Sequence, residues 1–183
     1  MKGSFVAVVG PSGVGKDSLI GFASARLAEA DWLRVVRRVV TRQADGGSED
    51  HDSLDLAGFA AAERAGAFAL TWEAHGLRYG LPIALEDDLR AGRVVVANLS
   101  RAMIPTLLER YPDTVVVAVS ADPKVIERRL AGRGRETAGS IQRRLDRQVS
   151  DHLPANTVRI DNSGDLEQAG LPFVQLLNDI SRA

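Results

Sequence analysis

The chain has 183 residues, 45% of them apolar and 26% charged, which is the balance of a soluble globular protein able to bury one full core. Its formal net charge is −1, so the whole molecule has no built-in attraction for nucleic acid or a membrane surface. The absence of cysteine excludes a disulfide framework, a thiolate zinc site and a cysteine nucleophile, and fits a reducing cytoplasm.

The opening MKGSFVAVVG is too short for the apolar core and cleavage site of a signal peptide, and no run reaches the ~18–20 apolar residues of a spanning helix. Short β-branched runs then alternate with helical stretches. Strands are predicted over Ser4–Val9, Arg34–Val40, Phe68–Trp72, Val94–Asn98, Val115–Ser120 and Thr157–Ile160. Helices are predicted over Lys16–Ala30, Leu56–Ala65, Pro82–Ala91, Ile104–Glu109, Pro123–Ala131, Ser140–Val149 and Leu166–Ser181. Pro82 and Pro123 suit first-turn positions, and Gly92 and Gly132 suit helix stops. The valine runs 94–96 and 115–117 are continuous rather than alternating, as in strands covered on both faces. Strands separated by helices imply parallel β-α-β units. The expected fold is therefore a single doubly wound α/β domain over 1–183, with helices on both faces of a mostly parallel sheet and sites at the strand carboxyl ends.

Between the first strand and the first helix stands GPSGVGKDS, where Gly10, Gly15 and Lys16 meet the phosphate-loop pattern G-x-x-x-x-G-K-[ST] in register. The loop of Gly10, Pro11, Ser12, Gly13, Val14 and Gly15 would wrap a nucleotide phosphate with its backbone N–H groups, which every member but Pro11 supplies, helped by the positive end of the helix. Lys16 would supply a mobile charge for the outer phosphates. The hydroxyl that normally follows is replaced by Asp17, with Ser18 one place late. A carboxylate there repels phosphates unless a cation lies between, and carboxylates are good Mg²⁺ ligands. Asp17 is therefore expected to bind Mg²⁺ directly or through water. Ser18, expected among the nucleotide-binding residues, lies about 100° further round the helix and cannot take the same ligand position without distortion. ATP and Mg²⁺ are the expected cofactors.

Charge is unevenly spread. Residues 34–42 hold four arginines and no acid, and residues 45–55 hold five acids and no base. From Lys124 to Arg147 there are eight bases against three acids, which on its own would read as a solvated helix face.

"GPSGVGK" followed by "VVTR" and "WEAHGLRYG" resembles the guanylate kinase family along nearly the whole chain. "RRLAGRGRETAGSIQRRL" resembles that family's lid, and "RIDNSG" the segment near its adenine pocket, which implies a nucleotide contact for Asn162. Within that family, "GKDSL", "TRQADGGSEDH", "NLSR" and "RGRE" resemble the ribose 1,5-bisphosphate phosphokinases of phosphonate breakdown. The resemblance implies that ATP and ribose 1,5-bisphosphate give ADP and 5-phosphoribosyl 1-diphosphate. It also implies a substrate-binding region near 34–82 and a lid near 132–144. Arg133 and Arg144 match the family's lid arginines, and Arg135 matches the ribose-bisphosphate branch alone; closed over the transferring group, they would exclude water.

Departures from guanylate kinase itself bear on the substrate. Thr41 and Arg42 remain from its T-R-x-P-R segment, but the second arginine falls on Asp45, and the phosphate-gripping tyrosine is missing from "SEDHDSL". Tyr79 and Gly80 remain, while the following hydroxyl has become Leu81. Glu73 stands in register with the base-reading glutamate, which favours a purine, and the aspartate ending the next strand is here Asn98. Arg101, after Ser100, follows that strand and could join Arg42 in holding a sugar with two phosphates.

Glu49 and His51 sit in the segment shared with the ribose-bisphosphate branch. Glu49 could accept a ribose hydroxyl or hold a metal-bound water, and His51 could meet a substrate phosphate, help remove the attacking proton, or lie on the surface. Asp50, Asp52 and Asp55 read as a solvated loop; Trp32 and Trp72 read as packing residues. The expected partner is a phosphorylated sugar, without nucleic acid or membrane, and a homodimer stays open. Two other functions stay open as well: a GMP kinase, resting on Glu73 and Tyr79, and a non-catalytic module of the same fold.

Overall fold

The strand Ser4–Val9 (β1) is buried from its second residue onward, and the rest of the fold is built outward from it. The computed structural model describes residues 3–41, 51–74, 76–131 and 153–183. After β1 come α1 (Lys16–Arg26), β2 (Leu33–Val35), β3 (Arg38–Val40), β4 (His51–Ser53), α2 (Leu56–Arg64), β5 (Phe68–Ala74) and β6 (Leu77–Pro82). These are followed by α3 (Leu85–Arg90), β7 (Val94–Asn98), a 3-10 turn (Arg101–Met103), α4 (Ile104–Arg110), β8 (Val115–Ser120), α5 (Pro123–Ala131), β9 (Val158–Asp161) and α6 (Leu166–Arg182).

Five strands form a central sheet in the order β2-β7-β1-β8-β9, with every neighbouring pair parallel. All five residues of β7 are buried, as the unbroken valine run demands. One face carries Val6, Val8, Val94, Val96 and Val117 against Leu19 of α1, Ile126 of α5 and Phe173 of α6. Burying a phenylalanine such as Phe173 contributes about 1.5–3 kcal/mol. Gly170 lets α6 approach α1 closely, because a Cβ there would strike the Phe22 ring. The opposite face places Phe5, Ala7, Val95 and Val116 against Leu85 of α3 and Leu107 of α4. Helices thus cover both faces, as expected.

A second sheet, in the order β4-β3-β6-β5, is antiparallel except for the parallel β3–β4 pair. It lies within the region expected to bind substrate, and its Leu70, Trp72 and Leu81 join the Phe5 side of the core. The predicted strand Arg34–Val40 is therefore two strands. Its first part pairs with β7, and the Val36 amide still donates to the Val96 carbonyl (2.9 Å) before the chain crosses to the second sheet. Strand β6 replaces the predicted start of a helix at Pro82. Pro82 ends the strand opposite Phe68, where its missing N–H costs the ladder little, and α3 begins at Leu85. Gly92, with φ 79°, follows α3 as the expected stop.

The acidic tract is partly ordered by local bonds. His51–Ser53 forms β4, and Asp55 caps α2 by accepting from the Gly58 amide (2.6 Å). Asp52 is ion-paired with Arg37 (3.3 Å). Trp72 is buried and Trp32 packs beside the Val6 side of the core, so both are packing residues. The predicted helix Ser140–Val149 and the lid near 132–144 lie outside the described residues.

Candidate active site

Strand β1 lies between β7 and β8, so the loop that follows it opens at the middle of the sheet's carboxyl edge. Gly10 to Gly15 form that loop and α1 begins at Lys16, whose Nζ donates back to the carbonyls of Gly10 (2.9 Å) and Pro11 (3.1 Å). Ser12 and Ser18 are exposed, whereas Val14 is fully buried. The back of the loop is latched to the rest of the fold. Asn162, just after β9, donates from Nδ2 to the Val14 carbonyl (2.8 Å), and Arg129 of α5 adds a second donor (3.2 Å). Gly15 must stay bare here: its φ is 92°, and a Cβ would stand 2.5 Å from Asn162 Nδ2.

Asp17, in the first turn of α1, faces the end of β7. Asn98 Nδ2 donates to Asp17 Oδ1 at 2.6 Å. An ionised carboxylate only accepts, so the amide must turn its NH₂ toward Asp17. Asn98 is 6% exposed, and its Oδ1 has no hydrogen-bond partner among the described residues. Mg²⁺ takes oxygen ligands and is commonly held by one or two carboxylates with waters and phosphate oxygens. Asp17 beside the loop, with the unsatisfied Asn98 oxygen next to it, is a donor set that fits. Among the described residues no group of three or more His, Asp or Glu side chains could hold a metal by itself.

Ser100 and Arg101 follow Asn98 into the 3-10 turn, so they lie at the carboxyl end of the strand adjacent to β1. The structure thus brings Lys16, Asp17, Asn98, Ser100 and Arg101 to neighbouring strand ends. Asn162, expected to contact the nucleotide, lies beside the phosphate loop. It is 2% exposed and holds the loop from behind.

The second sheet sorts the other candidates by face. Tyr79 stacks on Trp72 (5.3 Å between ring centroids), with the Arg38 guanidinium 5.8 Å from the Tyr79 ring centre. Glu73 follows Trp72, and successive strand residues point to opposite faces. Its side chain is 77% exposed and pairs with Arg78 (3.5 Å), which also binds Glu63 at 2.7 Å. Glu73 and Tyr79 therefore do not converge, as a shared base pocket would require. Hydrogen bonding from Arg78, then from Thr71, holds the Glu63 carboxyl below its ordinary value.

Thr41 Oγ1 accepts from the Arg78 amide (2.9 Å), extending the β3–β6 pairing. His51 is buried and its carbonyl accepts from Arg37 (3.3 Å), so the surface reading of this histidine is corrected. Arg42, Glu49, Arg133, Arg135 and Arg144 lie outside the described residues. Arg129 of the basic run has a structural part, bracing the back of the loop, and Arg38 lies against the Tyr79 ring; charge alone does not rank the arginines of a basic run.

Three relatives decide the family. The ribose 1,5-bisphosphate phosphokinase of Brucella melitensis biotype 2 is 46% identical over 181 residues, covering 98% of this chain and 94% of its own. Proteins of the same name from Chelativorans sp. and Burkholderia pseudomallei are 48% and 45% identical over 178 and 180 residues. Those alignments cover 96% and 97% of this chain, and 85% and 97% of the relatives.

The chain belongs to the ribose 1,5-bisphosphate phosphokinase family.

The fold of this phosphokinase family member is that of guanylate kinase. The crystal structure of guanylate kinase from Anaplasma phagocytophilum superposes with a TM-score of 0.72 at 19% identity, covering 100% of this chain and 88% of that one. A gluconokinase from Sinorhizobium meliloti 1021 is more distant, with a TM-score of 0.52 at 17% identity, covering 99% and 94%. No protein-family model matches the chain. Among the described residues no helix is long and apolar enough to cross a membrane.

Proposed function

We propose that this chain transfers the terminal phosphate of ATP to ribose 1,5-bisphosphate, giving ADP and 5-phosphoribosyl 1-diphosphate, as a cytoplasmic step of phosphonate breakdown. The observation that carries the reading is the meeting of the Lys16 loop with Asn98, Ser100 and Arg101 at adjacent strand ends. Nucleotide phosphates at the first and sugar phosphates at the second would bring donor and acceptor together. The substrate's identity rests on the near-full-length relatives that bear its name.

Phosphoryl transfer asks the protein mainly for position and charge balance. Lys16 would leave the Gly10 and Pro11 carbonyls for the outer phosphates, while the loop amides hold the inner ones. Asp17 would hold Mg²⁺, which when bound offsets charge on the transferring group. Arg101, with Arg42, would grip the two phosphates of the sugar. The attacking group is a phosphate oxygen, already a nucleophile, so no general base is needed and His51 need not serve as one. Arg133, Arg135 and Arg144 would stabilise the transferred group, a role that rests on resemblance alone. The same is true of contacts from Glu49. No step in this scheme requires a homodimer.

A GMP kinase would need Glu73 and Tyr79 on one ligand, and their opposite faces give that reading no support. Phosphorus NMR of the enzyme with ATP, Mg²⁺ and ribose 1,5-bisphosphate tests the proposal. The expected result is a new diphosphate signal pair attached to the sugar, matching ADP one for one. ADP with only free phosphate would contradict it.

A further inference from the structure

In phosphate-loop enzymes the metal is held between a hydroxyl in the first turn of the loop helix and a carboxylate from a strand end. This chain has both positions and fills them the other way round. The first-turn position holds Asp17, and the end of β7, the strand beside β1, holds Asn98. The two side chains meet at 2.6 Å although 81 positions separate them in sequence.

We propose that Asp17 and Asn98 are a transposed metal-binding pair, in which Asn98 positions the Asp17 carboxylate and the strand end must stay neutral because the helix carries the charge. This rests on the reading of Asp17 as a metal ligand. A carboxylate at position 98 would stand against Asp17 at hydrogen-bond distance, and two such groups cannot both ionise freely. An amide is nearly the same shape and supplies the donor that a carboxylate lacks. Asn98 is too buried for solvent to replace it. Its remaining oxygen, unpartnered among the described residues, stands next to the carboxylate and can meet the cation or its water. The site thus keeps one negative charge at the metal while moving it from strand to helix.

The same geometry explains why Ser18 does not restore the missing hydroxyl. Ser18 is exposed, whereas Asp17 faces the strand end. The hydroxyl one place late is not the substitute; the amide across the sheet edge is the other half of the exchange.

The test is calorimetric titration of ADP with and without Mg²⁺, on the wild type, Asn98→Ala, Asp17→Ser and the double variant Asp17→Ser/Asn98→Asp. The quantity read is the ratio of the two affinities, which a general loosening of the fold would not change selectively. The wild type should bind ADP more tightly with Mg²⁺; no Mg²⁺ effect would overturn the metal reading of Asp17 itself. Given that effect, Asn98→Ala should reduce the Mg²⁺ advantage by about 10–100-fold, as loss of a residue orienting a metal ligand does. The double variant, with the carboxylate back on the strand, should recover at least tenfold of what Asp17→Ser loses. An Asn98→Ala ratio equal to wild type, or a double variant no better than Asp17→Ser, would overturn the pairing while leaving the metal reading intact. Should Asn98→Ala fail to fold, the double variant, polar at both positions, decides alone.

Discussion

Asn162 Nδ2 donates to the carbonyl of Val14 at 2.8 Å, across 148 positions of sequence, and so ties the end of the last strand to the back of the phosphate loop. The loop's own hydrogen bonds do not do this. Asn162 therefore braces the loop that is expected to bind the nucleotide. Asn162→Ala should lower stability by about 0.5–1.5 kcal/mol, the net worth of one hydrogen bond, because Arg129 still donates to the Val14 carbonyl. It should also weaken ADP binding. Urea denaturation together with ADP titration checks both, and a variant unchanged in either would contradict the latch.

Lys16 spans the loop through the Gly10 and Pro11 carbonyls. The proposed chemistry needs this cation on the outer phosphates as charge develops. Lys16→Ala should reduce kcat by about 100-fold or more, the scale seen when one preorganised donor is lost. Its half-buried side chain carries little of the core, so the melting temperature should move little. ADP release and thermal melting, measured side by side, separate the two effects.

Glu73 gives the opposite expectation. It is exposed, and its partner Arg78 keeps two oxygens of Glu63 without it. Glu73→Ala should change kcat/KM for ribose 1,5-bisphosphate by less than about twofold, since an exposed ion pair is worth little. A loss of tenfold or more would return Glu73 to the substrate site.

Glu86 predicts a pH effect away from the site. It accepts from Arg110 (2.5 Å), Tyr111 (3.0 Å) and Arg90 (2.9 Å). The Arg110 hydrogen bond holds its carboxyl below the ordinary 4.5, against a smaller opposing effect of burial. A folded value below the unfolded one means the stabilisation is full above about 4.5 and is lost as pH falls through the folded value. Glu86→Gln should therefore cost about 0.5–1 kcal/mol at neutral pH, allowing for solvent screening. That difference should shrink as pH falls below 4. A difference independent of pH would contradict the charge-based account.

Much of this was legible in the sequence because it rests on local patterns. The valine runs specify buried parallel strands, and Gly10, Gly15 and Lys16 specify the loop, since their spacing is set by backbone geometry alone. The split of Arg34–Val40 between two sheets was not legible. A β-branched run such as RVVRRVV favours extended chain but does not state which sheet it joins. Glu73 shows a second limit: matching a motif in register does not say which face of a hairpin a side chain takes, and the Trp72–Tyr79 stack decides that here. Asn162 shows a third. Its segment was recognisable, but its bond to Val14 depends on the meeting of distant elements.

The substrate separates this reaction from that of a GMP kinase. Initial rates of ADP release from ATP and Mg²⁺ should be measured with ribose 1,5-bisphosphate and, separately, with GMP, at matched concentrations. The proposed reaction requires turnover with the sugar and none above background with GMP. Turnover with GMP and none with the sugar would contradict it, leaving the fold in place and the proposed reaction without support.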